Sequence, residues 1–447
     1  MEYQVMEHCE YGIVKREDIL MKKLYVLILT VCLMLGLMAG FVYAQEKVTI
    51  DVYGVQWLPG HLEEMPKIIA KFNETNPNIK INYIQGQWAA LKTMLVTGAA
   101  AGNLPDLINL ETSFAMEFGA RGALVDLNEF LTKDVEDKIV PFAREAGRDF
   151  YGEHTWYLSD EWEVNSMIYY NAGLLKNAGI EIPAADKVWS YETARDAMKK
   201  VSDPASDRWG LMQNVTLDVQ EWFMPALRCW GSDVFIKENG KWKLNFGKEA
   251  IDVLQFYSDL VTKDKSLSPE TAGIGVEGML SRFLDGKLGF VSWGPWFWDM
   301  INRAAGKDFE WGVMQPWNEK KTITSIEATG YAMAATSKHK KEAWEVLWFL
   351  MTNETKKPYN KKGRMFPGSK ELIADPMFMT KDDIMYVEWL ASQNGSQQVK
   401  HPIWDGLHKD TLIPYVGMMF EGKVTPQEVA QVVESEGNYL IQEMEGK

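Results

Sequence analysis

Downstream of residue 47, hydrophobic and polar positions follow two periods. Val48-Thr-Ile-Asp-Val-Tyr53 alternates every second position, which predicts a strand. Met65, Ile68, Ile69 and Phe72 recur at helical spacing, and Asn76-Pro77-Asn78 marks a turn. Ile79–Ile84 predicts a second strand, 88–101 a helix closed by Gly102, and 106–110 a third strand. A further helix begins at 115–119. Strand, helix, strand, helix, strand at these intervals predicts an α/β unit with parallel strands. Helical stripes then dominate, at 192–201, 248–262 and 340–351, and the chain from Asp382 reads as mainly helical. No internal repeat or low-complexity linker interrupts the pattern, so any boundary between lobes must be crossed by strands or short loops.

One apolar run stands apart. Lys22 and Lys23 precede Leu24–Ala44, which ends Val42-Tyr43-Ala44 before polar Gln45. A basic start, an apolar stretch and a small-residue end are expected of a secretory signal, with translation starting at Met21. An uncleaved anchor is the alternative, since the run is long enough to span a bilayer. Cys32 follows bulky Val31 inside the run, which argues against a lipid-attachment site. No later run approaches 18 apolar residues, so the exported product, Gln45–Lys447, is expected to be soluble.

Composition narrows the chemistry. The 447 residues carry Lys+Arg 47 against Asp+Glu 62, a net charge of −15, which argues against a nucleic-acid partner. Removal of the first 44 residues takes away Cys9 and Cys32, leaving Cys229 without an intramolecular partner. Six histidines, none at HxxxH spacing, give no support to a metal site. Gly273-Ile-Gly-Val-Glu-Gly278 has GxGxxG spacing but follows a polar segment, so it reads as loop glycines. No cofactor is expected. The 18 tryptophans are an excess that asks for a reason.

Several stretches, in order, resemble the extracellular solute-binding proteins of ABC importers, the sugar-binding group that includes maltose-binding protein. They are Phe72-Asn-Glu-Thr-Asn-Pro-Asn-Ile-Lys-Ile81, Gly98-Ala-Ala-Ala-Gly-Asn-Leu-Pro-Asp106 and Ile168-Tyr-Tyr-Asn171 with Leu174–Ile180. Phe283-x-x-Gly286 leading to Gly294-Pro-Trp296 follows, then Gly330-Tyr-Ala-Met-Ala334 and 337–344. Two departures stand out. Gly152–Leu158 lacks the proline usual before the first crossover, and Lys287–Phe290 replaces smaller residues. The resemblance implies a two-lobed periplasmic-binding-protein-like α/β fold with a ligand cleft and hinge. Crossings are implied near 157–165, 329–331 and 363–367. One lobe would be 45–160 with 329–362, the other 161–328 with 363–447. It also implies a sugar as ligand, an ABC permease as membrane partner, no catalysis, and a periplasmic or cell-surface location. Nothing requires an oligomer, so a monomer is expected.

A sugar presents an apolar C–H face and a rim of hydroxyls, so its site pairs indole faces with carboxylates and amides. The resemblance places a stacking aromatic at Trp296. Trp298 and Asp299 follow it at the expected mouth, whereas Trp293 reads as core by its strand face. Gln56 and Trp57 end the first strand, and Glu111 and Ser113 end the third, where α/β sheets bind ligands. Thr112 or Ser113 could instead cap a helix. Asp160, Glu161, Trp162 and Glu163 stand at the first crossing as hydroxyl acceptors, or form a solvated acidic run. Trp222, Arg364 and Trp404 complete the candidates. The excess of Trp favours a di- or oligosaccharide. A polyamine or peptide receptor, or a secreted glycoside hydrolase, are the alternatives.

Overall fold

The computed structural model describes residues 47–445 apart from 57, 214, 216–218 and 382, together with 21, 23, 24 and 26–30. The latter residues are helical. The expected signal cleavage point, Cys9, Cys32 and Trp57 lie outside the described residues. Among the described residues no helix is long and apolar enough to cross a membrane. Cys229 is a buried free thiol.

The strands are β1 (Val48–Gly54), β2 (Ile79–Gln85), β3 (Leu107–Glu111), β4 (Leu158–Val164), β5 (Met167–Asn171), β6 (Trp209–Met212), β7 (Phe235–Glu238), β8 (Lys241–Leu244), β9 (Leu288–Trp293), β10 (Trp311–Met314), β11 (Thr324–Met333), β12 (Phe366–Pro367) and β13 (Gly395–Gln397). A seven-stranded sheet runs β12-β4-β11-β3-β1-β2, with β13 on β11, and a four-stranded sheet runs β10-β5-β9-β6. β1 and β3 pair in parallel, as the helix between successive strands requires. The long strand β11 enters antiparallel between β3 and β4. β7 and β8 form a hairpin whose turn residues, Asn239 and Gly240, both have positive φ (52° and 82°). That is the mirror-image turn whose twist matches a hairpin.

The chain leaves the larger sheet at Asn165–Ser166, enters the smaller at Met167, and returns between Met314 and Thr324. Each sheet is clad by helices. Ile50, Val52, Leu107 and Ile108 are fully buried against Ile68, Phe72, Leu91 and Leu95. Each such side chain contributes about 1.5–3 kcal/mol by leaving water. On the other side, Leu211, Phe223, Leu254, Tyr257 and Phe290 share a second core with Trp222 and Trp404.

One irregularity shapes the site. The β4–β11 register shifts between Thr329 and Gly330, a bulge. A Cβ at Gly330 would lie 2.0 Å from the Leu158 carbonyl oxygen, so only glycine allows this approach.

Candidate functional site

A cavity of about 400 Å³ opens where β3, β4 and β11 meet the end of β9 and the helical segment around Trp404. That volume is in the range of small-ligand sites. Sheet register builds its floor. Glu161 pairs with Thr329, which pairs on its other side with Glu111; one row along, Glu163 faces Glu327. Residues two apart on a strand share a face, so four carboxylates from three adjacent strands meet on one surface of the cavity.

Glu327 also shares a hydrogen bond with Glu111, and the other donors at this surface are neutral groups. Thr329 Oγ1 donates to Glu161 Oε1 (3.1 Å), and Ser113 Oγ donates to Glu111 Oε1 (2.8 Å). Asn165 Nδ2 donates to Glu221 Oε1 (2.7 Å) and to Glu327. Burial, reinforced by Asp160, pushes the Glu161 carboxyl up to about 8. Burial and the Glu161 charge push Glu163 well above its ordinary range. Glu327 is raised well too, by burial first and then by Glu111, Glu221 and Glu163.

The walls are aromatic. Trp296 is half-buried and meets Trp293 edge-to-face, at 5.2 Å and 74°. Trp88 and Phe114 border the cavity from the side of β3. Trp404 closes another side; its indole N–H donates to Gln220 Oε1 (2.8 Å) and its ring stacks on His408. His408 Nε2 in turn accepts the backbone N–H groups of Val219 and Gln220 at the start of helix Gln220–Trp230. Burial and neighbouring Lys409 hold this imidazole down to about 3, which suits an acceptor nitrogen. Asp405, also at the cavity, is pushed up by burial. Lys409 (2.5 Å) and Lys92 (2.8 Å) outweigh that and hold it below the usual carboxylate range.

Of the candidates named from sequence, Trp296, Glu111, Ser113, Glu161, Glu163 and Trp404 border the cavity. Thr112 and Ser113 do not cap the helix they begin. Thr112 bonds Tyr157, and Ser113 bonds Glu111 and Asp405. Trp162 also borders the cavity, but its indole is engaged elsewhere: it packs on Phe366 and Phe142 and donates to the Pro367 carbonyl. Strand alternation sets it opposite Glu161 and Glu163.

Six others are placed away from the cavity lining. Asp160 ion-pairs with fully buried Lys356 at 2.6 Å. Gln56 is buried, its backbone carbonyl accepting from Gln85 Nε2 (2.6 Å). Trp222 packs on Tyr257 (4.3 Å) and Phe420 in the second core, where its i,i+3 neighbours are apolar. Asp299 is taken by Arg303 one helical turn on (2.6 Å). Arg364 binds Asp383 and covers the Trp298 ring at 3.9 Å, which removes that pair together.

Sequence reasoning missed Glu327, Thr329, Asn165, Glu221, Asp405 and Trp88. Only strand register and tertiary packing bring them to the cavity. Trp293, read as core, is 2% exposed and yet also borders it.

Two sheets, each clad by helices and joined by the short connections at 165–166 and 315–323, with an aromatic, acidic cavity lined from both, define a two-lobed binding-protein fold. Residues 59–357 match the family model of the bacterial extracellular solute-binding proteins, and the chain belongs to that family. It is similar to a maltotriose-binding protein of Pyrococcus abyssi, 24% identical over 78% of this chain and 74% of that one. It is similar also to an uncharacterised lipoprotein of Streptomyces antibioticus, 25% identical over 75% of this chain and 74% of that one. An ABC substrate-binding protein of Listeria monocytogenes, solved in complex with cycloalternan, has the same fold. Its TM-score is 0.76 at 22% identity, covering 90% of this chain and all of that one.

Proposed function

We propose that this protein is an extracytoplasmic receptor that captures a saccharide of two or more rings and hands it to the membrane permease of an ABC importer. The observation that carries this is the cavity itself. Half-exposed indole faces stand beside carboxyl and amide groups, the two surfaces a sugar ring needs. The maltotriose and cycloalternan named for similar proteins support the same ligand class. The protein binds, closes and releases, and performs no chemistry on the sugar. It acts as a monomer outside the cytoplasmic membrane, in a periplasm or at the cell surface. The lobes part within β4 and β11: 45–160 with 329–362 form one, and 161–328 with 363–447 the other. Trp296, Glu111, Ser113, Glu161, Glu163 and Trp404 contact the ligand. Closure traps it because the closed form binds it better than the open form.

Thermal unfolding across mono-, di- and oligosaccharides tests this. A ligand at a hundred times its Kd should stabilise the protein by about 2.7 kcal/mol. A rise in midpoint with one oligosaccharide class is expected. A flat response to every sugar would remove the saccharide reading.

A further inference from the structure

At the cavity floor acid faces acid. Glu111, Glu161, Glu163 and Glu327 share one surface, and among the described residues none of the four forms an ion pair with lysine or arginine. His61 lies 3.8 Å from Glu161, but burial holds this imidazole well below its ordinary range, hence neutral, and the nearby Lys356 ammonium, which favours the Glu161 carboxylate, is set on Asp160. Lys409 reaches the cavity, but its ammonium is set on Asp405 and over the Phe114 ring (4.6 Å). The carboxyls are also poorly bonded. Glu161 and Glu163 are only 5% and 6% exposed, and Oε2 of each lacks a hydrogen-bond partner among the described residues. Asn165 Oδ1, beside Glu327, is in the same state.

A buried acceptor left without a donor carries the cost of its lost hydration. A neutral sugar relieves part of that cost with its hydroxyls, yet puts no cation between acid groups that burial and mutual proximity keep from ionising together. A metal ion is a poor substitute. Among the described residues no three acidic, histidine or cysteine side chains converge to hold one. An ammonium fits better. It offers three donors, pairs with more than one carboxylate at once, and can lie against an indole face.

We propose that the saccharide taken by this cavity is a basic one, whose protonated amine sits among Glu163, Glu327 and Asn165. This rests on the saccharide reading above and narrows it. The rings lie on Trp296 and Trp88, and the amine enters the acidic floor.

Titration calorimetry on the full chain tests this with four probes. These are chitosan tri- and tetrasaccharides, the same oligomers fully N-acetylated, maltotetraose, and spermidine. Acetylation removes the charge and keeps the ring. The amine forms are expected to bind at least about tenfold tighter than their acetylated counterparts. Glu163→Gln and, separately, Glu327→Gln should each shrink that preference to roughly threefold or less. Acetylated oligomers or maltotetraose binding as tightly as the amines would overturn the basic ligand and leave the saccharide receptor standing. Spermidine binding with no saccharide bound, or no binding at all, would overturn both.

Discussion

Asp160 and Glu163 are three residues apart on β4, and their carboxyl groups are treated differently. Asp160 is almost fully buried and set against the ammonium of an equally buried lysine, Lys356, which also lies over the Tyr359 ring at 3.5 Å. Burial still pushes Asp160 up, with Lys356 opposing. Glu163 is nearly as buried but faces Glu327, another acid, across the strand pair. The first acid has its counter-charge within the chain, although its Oδ1, like Oε2 of Glu163, lacks a hydrogen-bond partner among the described residues. The second lacks a partner that the chain does not supply. Inside one strand, the paired acid belongs to the scaffold and the unpaired acid to the cavity.

Lys356→Met should show the largest effect. It leaves Asp160 buried without its partner, and urea unfolding should report a loss of about 3–5 kcal/mol. The double change with Asp160→Asn should recover much of it. A loss below about 1 kcal/mol would erase the distinction between the two acids. Trp296→Ala comes next. Saccharide affinity should fall about thirtyfold, roughly 2 kcal/mol, with little change in the unfolding midpoint because the indole is only half-buried.

The pH dependence sharpens the comparison further. Glu161 is held at about 8 in the folded protein against an ordinary 4.5, so folding takes up a proton between these values. Its contribution is full below pH 4.5 and is lost as pH rises towards 8. The slope is at most about 1.4 kcal/mol per pH unit. His61 and His408, both depressed, act in the opposite sense at acid pH. The measurement is therefore the difference between wild type and Glu161→Gln, which should lose this slope. An identical pH profile in both would contradict the raised carboxyl. The smallest effect is expected for Glu163→Gln on stability, under about 1 kcal/mol by denaturant titration, since its Oε2 has no hydrogen-bond partner to lose among the described residues.

Much of the framework was readable in the residues. Trp88–Ala101 and Lys248–Thr262 form helices with the bounds their periodicity implies, and Val48–Gly54, Ile79–Gln85 and Leu107–Glu111 are strands. Local spacing controls such elements. The floor was half readable. Glu111 ends a strand recognisable from its apolar run, and Glu161 and Glu163 stand out as an acidic pair. Glu327 and Thr329 sit in β11, and they meet the others only through a register fixed by the bulge at Gly330. The tryptophans resisted reading for a different reason. Trp222 and Trp293 are equally buried at 2%, yet only Trp293 touches the cavity. Periodicity reports which face is covered, not whether protein or ligand covers it.

The edge-to-face contact of Trp293 with Trp296 has an optical consequence. Two indoles 5.2 Å apart and inclined at 74° have coupled electronic transitions, so the pair contributes a paired signal of opposite signs in the strong indole band of the far-ultraviolet circular dichroism. A ring seated on Trp296 alters the angle or polarity of one partner and therefore that signal. The protein carries an unlabelled occupancy gauge in its own chromophores, and Trp293→Phe should silence it while leaving the cavity lined.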